Sequence, residues 1–138
     1  MNSETVGRDA VNTVVLANGA FSGVCGAALV LASGQLHSHF GLNSPLVLIL
    51  IGAMLILWAI ALLRTGRQPS AAAGDILAIV LLDIAWVFAS LVLVGLAWTA
   101  FSETGRWLVG GVAIVVAFFA AAQFYLRPEP AETAGEAS

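Results

Sequence analysis

Lysine is absent from this chain of 138 residues, and only 9% of its residues are charged. A soluble domain carries about a quarter charged residues, so the composition excludes an ordinary water-facing surface. Cysteine occurs once, at Cys25. A single thiol excludes an internal disulfide and any Cys-x-x-Cys redox centre, and inside an apolar stretch it reads as a small buried residue. The formal net charge is −3, drawn largely from Glu129, Glu132 and Glu136 after Arg127. Such a balance supports no nucleic-acid role.

What the chain does hold is apolar surface: 60% of residues are hydrophobic and the mean hydropathy is +0.99. Four stretches, 10–33, 45–63, 76–98 and 107–126, are long enough to span a bilayer. At about 1.5 Å per residue even the shortest covers close to 30 Å, the thickness of the hydrocarbon core. The expected fold is therefore all-α and membrane-embedded, a four-transmembrane-helix up-down bundle. A short polar tail over 1–9 precedes it and a disordered acidic tail over 127–138 follows. The first stretch is expected to be retained rather than cleaved as a signal, because only Arg8 precedes an apolar run that is long and broken by Asn18 and Ser22. Arg8, Arg64, Arg67 and Arg127 share one side of this arrangement and Arg106 lies on the other. By the positive-inside rule both termini are cytoplasmic, and the localisation read from this is the plasma (inner) membrane of a bacterium.

The first span carries Asn18, Gly19, Ser22, Gly23, Cys25 and Gly26 as a small and polar stripe suited to close packing of helices in lipid. The loop after it holds His37 and His39, but two imidazoles without a neighbouring Cys, Asp or Glu do not make a metal site. No metal and no cofactor is expected. Ser44-Pro45 opens the second span, which has no ionisable or amide side chain between Pro45 and Leu63. With nothing to orient chemically, it reads as a packing element largely exposed to lipid. Asp75 is placed to cap the third span, and Gly110, Gly111, Ala113, Ala117, Ala120 and Ala121 suit the fourth to close packing.

One carboxylate, Asp83, sits well inside the third span. A charge there costs roughly 2.5 to 3.5 kcal/mol even on the gentlest scale, whereas an interhelical polar contact returns about 0.6 kcal/mol on average. Asp83 therefore asks for a partner or a purpose. Counted from Asp75 it lies about 12 Å deep, and Asn18, counted from Arg8, about 15 Å. Ser22 and Ser90 fall near 21 to 22 Å and Gln123 near 6 Å by the same count. Trp86, or Val87, and Ser90 share the helical face of Asp83. The candidate ligand or proton site is thus Asp83, Asn18, Ser22, Trp86, Ser90 and Gln123. Asp83 pairs with Asn18 in one reading; in another, Arg64 or Arg127 reaches in and holds it ionised.

The pattern Ala17-Asn18-Gly-Ala-Phe21-Ser22-Gly23, followed by Leu82-Asp83-Ile-Ala-Trp86-Val87-Phe-Ala-Ser90 and then Gln123, resembles small bacterial four-helix integral membrane proteins with no assigned activity. The resemblance implies the architecture and carries no chemistry. Small multidrug transporters are similar in size, but they are built around a glutamate in the first helix, which has none here. Vitamin K epoxide reductase-like proteins need cysteine pairs, which are absent here, and four-helix haem-b proteins need histidines inside their spans, whereas His37 and His39 lie in a loop. The first expectation for function is a non-enzymatic accessory or scaffold bundle with membrane lipids, a larger membrane complex or a second copy as partners. The alternative is a small proton-coupled transporter or channel that uses Asp83. An enzyme is not expected, because no nucleophile-base pair or full metal set is present.

Overall fold

Backbone polar groups in hydrocarbon must be satisfied within the segment, which leaves the helix as the form for a single apolar stretch. Of the four prolines, Pro45 is the first residue of the second apolar stretch and those at 69, 128 and 130 fall outside the stretches, so none is interrupted. The computed structural model describes residues 3–68 and 72–127, and among these it has five helices and no strand. They are α1 (Ser3–Leu31), α2 (Ser33–His39), α3 (Leu46–Gly66), α4 (Ala73–Leu96) and α5 (Glu103–Leu126). Four are long and apolar enough to cross a membrane: Val6–Leu31 within α1, then α3, α4 and α5. The acidic tail expected after Arg127 and residues 69–71 of the second loop lie outside the described residues.

The boundaries differ from expectation where local hydrogen bonding extends a helix. α1 starts at Ser3, because the polar residues before Ala10 contain no proline, and Thr13 Oγ1 donates to the Asp9 carbonyl on its solvent face (2.8 Å). The first loop contains a short helix, α2, in which the buried Ser33 hydroxyl donates to the Val30 carbonyl (3.0 Å). α5 starts at Glu103 rather than 107, since Ser102 Oγ accepts from Gly105 N (2.9 Å) and caps the first turn. At the head of α4, Asp75 Oδ2 accepts from Ala72 N (3.3 Å).

α1 packs most closely on α3, through glycine. A Cβ on Gly26 would lie 2.7 Å from the Gly52 carbonyl oxygen, and a Cβ on Gly52 would lie 2.7 Å from the Gly26 carbonyl oxygen. Further along, Gly19 meets Leu62 and Leu63 at 3.1 Å, and Gly66 meets Leu16 at 2.9 Å. The buried face of α3 is Leu48, Gly52, Leu55, Ala59, Leu62 and Gly66, at alternating steps of four and three residues that keep one side of a helix turned to its neighbour. The rest of α3, with Leu50, Leu57 and Ile60, is exposed, as expected of a packing element largely open to lipid. The expectation for α5 holds at Ala113 and Ala120, which are buried, and is corrected at Gly110 and Gly111, where a Cβ would meet nothing within 4 Å. Its packing residues are Gly105, Ala113, Val116, Ala120 and Gln123.

The apolar core lies toward the end that carries Arg8, Arg64 and Asp75. Val11, Val15, Leu62, Ile76 and Ile79 form it, with Trp58 packed against them. The buried residues of α4 are Ile76, Ile79, Val80 and Asp83, all in its first half. At the other end two loops lock together. Gly41 has φ +80°, and its backbone sits so near Ser102 N and the Ala100 carbonyl that a Cβ would fall 2.6 and 2.7 Å from them. Ser102 N donates to the Phe40 carbonyl (3.0 Å), its hydroxyl donates to the His39 carbonyl, and Phe40 is buried beneath. Arg106 finishes this end by donating to the Trp98 carbonyl (2.8 Å) and lying 4.3 Å from the Trp98 ring centroid.

Candidate membrane-buried polar site

Asp83 is the last of the buried residues along α4, with 2% of its surface exposed. Its two carboxyl oxygens are held by different helices. From α1, Asn18 Nδ2 donates to Oδ2 at 2.6 Å; from α3, Trp58 Nε1 donates to Oδ1 at 3.1 Å. Asn18 is fully buried, and its own carbonyl oxygen accepts from the Ser22 hydroxyl one turn away (3.4 Å). The result is a chain of hydrogen bonds running Ser22, Asn18, Asp83, Trp58 across three helices, in which every donor is an uncharged side chain. The similar depths counted for Asn18 and Asp83 are realised as a direct contact.

Among the described residues no counter-charge accompanies it. The chain has five basic side chains, all arginine, and each is accounted for elsewhere. Arg8, Arg64 and Arg67 are exposed, Arg106 is engaged with Trp98 and Phe101, and Arg127 stacks 4.0 Å from the Phe124 ring centroid. Arg64 and Arg127 therefore do not reach Asp83. Geometry alone decides this, because each lies at a helix end while Asp83 lies two turns or more inside.

Beside the carboxyl group lies a cavity of about 180 Å³ to which all four long helices contribute. Ser22 comes from α1 and Val116 from α5; Met54, Leu55 and Trp58 line it from α3, and Leu82 and Trp86 flank Asp83 on α4. Its wall is apolar except for Ser22, Asp83 and the indole nitrogens. Met54 and Leu82 are each about half exposed on the outside of the molecule, at 51% and 54%, so the cavity opens sideways between α3 and α4. These two helices are not closely packed against each other, and the Trp58 to Asp83 hydrogen bond bridges the gap.

The remaining sequence candidates are placed differently. Trp86 is half-buried and lines the cavity. Ser90, two turns beyond Asp83, is half-buried and does not line it. Gln123 is fully buried, yet neither its Nε2 nor its Oε1 has a hydrogen-bond partner among the described residues. It lies one turn beyond Phe119, whose ring meets that of Phe21 at 5.9 Å between centroids, so it faces α1 near the level of Asn18 without bonding to it. Trp58 is the site residue that sequence reasoning missed. Six residues before Arg64, it counts to about 9 Å deep, close to the 12 Å of Asp83, and its indole is the one side-chain N–H donor in that span. The two histidines stay near their own helix, with Nδ1 of His37 3.2 Å from the Ser33 carbonyl and Nδ1 of His39 3.0 Å from the Gln35 carbonyl. Among the described residues no group of three or more metal-ligating side chains occurs.

Comparison with protein-family models, with curated proteins and with solved structures finds no match for this chain.

Proposed function

We propose that the chain is a small proton-coupled transporter whose working group is Asp83, built as an up-down four-helix bundle in the plasma membrane of a bacterium with both termini cytoplasmic. The observation that carries this reading is a buried carboxyl group with two neutral donors, no cation and a cavity at its side. A carboxylate in hydrocarbon without a counter-charge is costly, and a proton or a ligand that occupies the cavity removes that cost. A group stabilised in turn by either of two occupants is the minimum needed to exchange one for the other.

Reconstituted vesicles holding an imposed pH gradient provide the test. With the wild-type chain, at least one solute from a panel of small organic compounds speeds collapse of the gradient; with Asp83→Asn, folded to the same helix content, it does not. Asp83→Asn vesicles that behave as wild type would remove Asp83 from the mechanism. The orientation is tested by labelling intact cells in a Cys25→Ala background: a cysteine at Ser38 reacts with an impermeant reagent and one at Gln68 does not, and the reverse pattern would invert the topology.

A scaffold reading has one observation in its favour. The Asn18, Asp83 and Trp58 bonds tie three helices together, which serves packing whether or not anything else binds. Under that reading the chain purifies stably with a larger membrane complex, and no solute moves with protons.

A further inference from the structure

We propose that the cavity beside Asp83 takes a small lipophilic organic monocation, held by the carboxylate and by the indole rings of Trp58 and Trp86, in competition with the proton. This rests on the transport reading above and adds the class of substrate.

Four observations lead to it. The only ionisable group at the cavity is acidic, and every other group facing it is neutral: Asn18 and Ser22 from α1, Trp58 from α3, Val116 from α5 and Trp86 on α4 itself. An anion or a zwitterion would bring a negative charge against Asp83 with no arginine in reach, and a neutral solute would leave the carboxylate without a counter-charge. Two of the lining side chains are tryptophan, the aromatic ring with the strongest attraction for a cation. Trp58 spends its N–H on Asp83, which fixes that edge of the indole at the carboxylate, and besides packing on the apolar core the residue lines the cavity. The rest of the wall, Met54, Leu55, Leu82 and Val116, is apolar and demands hydrocarbon around the charge. Finally, about 180 Å³ falls below the roughly 300–1,000 Å³ of sites for drug-sized ligands. The occupant is therefore small.

The exchange balances in charge and atoms. The protonated form of Asp83 is neutral; when the cation enters, the carboxyl O–H proton leaves to water and the carboxylate pairs with the cation. When a proton returns, the cation loses its counter-charge and departs. No covalent bond other than the carboxyl O–H forms or breaks.

The probe is benzyltrimethylammonium, a permanent cation with no proton of its own, and its uncharged carbon isostere neopentylbenzene. Binding of the radiolabelled cation is measured on the full chain in nanodiscs of uncharged lipid. The expected result is saturable binding of one cation per chain that weakens as the proton concentration is raised and is not displaced by the isostere. Asp83→Asn loses at least about tenfold in affinity, and Trp86→Leu loses about tenfold, between the size of an exposed and of a fully desolvated cation–π contact. Trp86→Phe, which keeps an aromatic face, loses less than Trp86→Leu. Absence of saturable binding to the wild-type chain, binding insensitive to protons, equal displacement by the isostere, or undiminished affinity in Asp83→Asn each overturns the proposal. The wild-type measurements stand whether or not the variants fold. If vesicles show Asp83-dependent exchange of protons for some other solute while this cation does not bind, the substrate class fails and the transport reading survives; if no solute exchanges at all, the transport reading fails first.

Discussion

Glycine to alanine at two places in the same protein separates packing from every other effect of the substitution. At Gly26 a new Cβ would lie 2.7 Å from the Gly52 carbonyl oxygen, 3.0 Å from Leu55 Cβ and 3.0 Å from Ile56 Cγ1. The first of these is backbone and cannot rotate away, so α1 and α3 must move apart. At Gly111 the same methyl meets nothing within 4 Å. Both substitutions gain the same helix propensity, about 1 kcal/mol at most, and this cancels in the difference between the two variants. What remains is the cost of overpacking, typically about 1–3 kcal/mol. Gly26→Ala is therefore expected to be about 1–3 kcal/mol less stable than Gly111→Ala. Unfolding by SDS in mixed micelles, followed by tryptophan fluorescence and circular dichroism, gives both numbers. Gly23→Ala, whose Cβ would touch only Ala59 Cβ at 3.4 Å, should fall close to Gly111→Ala. Since Gly26 and Gly52 share one contact, the double variant should cost less than the sum of the singles. Equal stability of Gly26→Ala and Gly111→Ala would falsify the close α1–α3 crossing.

Gly41→Ala forces a side chain into the left-handed region at φ +80° and against the Ser102 and Ala100 backbone, and is expected to cost about 2 kcal/mol or more in the same assay; a neutral result would mean the two loops do not lock. Trp58→Phe keeps most of the ring but removes the donor to Asp83, with an expected loss of about 0.6–2 kcal/mol. No loss of stability there would show that the α3–α4 bridge is idle. Gln123→Leu replaces two buried unpartnered polar atoms with hydrocarbon and is expected to be neutral or stabilising, by up to about 3 kcal/mol. A clear destabilisation would show that the amide is satisfied in the native protein.

The architecture was legible because lipid restricts the choices: length and hydropathy alone give four spans, and proline only at or beyond their ends leaves each unbroken. The pairing of Asn18 with Asp83 was legible for a related reason. Depth in a membrane is a ruler, and two polar side chains at matching depth have few other partners. Trp58 was not legible, because an indole inside an apolar run looks like hydrocarbon until its N–H is found pointing at a carboxylate. Gly19 and Gly26 pack closely as read, but other glycines were misjudged. A glycine in sequence records only that a side chain is absent, and whether a neighbour fills the space depends on which face turns inward: Gly52 is filled, Gly110 and Gly111 are open. Helix starts were missed where a side chain outside the apolar run supplied the cap, as Ser102 does for α5.

The role assigned to Asp83 rests on its carboxyl group changing protonation inside a folded protein. Infrared difference spectroscopy of the chain in lipid, recorded while pH is stepped across the range in which helix content is unchanged, reads this directly. The prediction is a carboxylic C=O band that is present in the wild type and missing in Asp83→Asn, appears and disappears reversibly with pH, and shifts in Trp58→Phe because the indole donor is gone. Identical pH-dependent carboxyl bands in the wild type and in Asp83→Asn would contradict it.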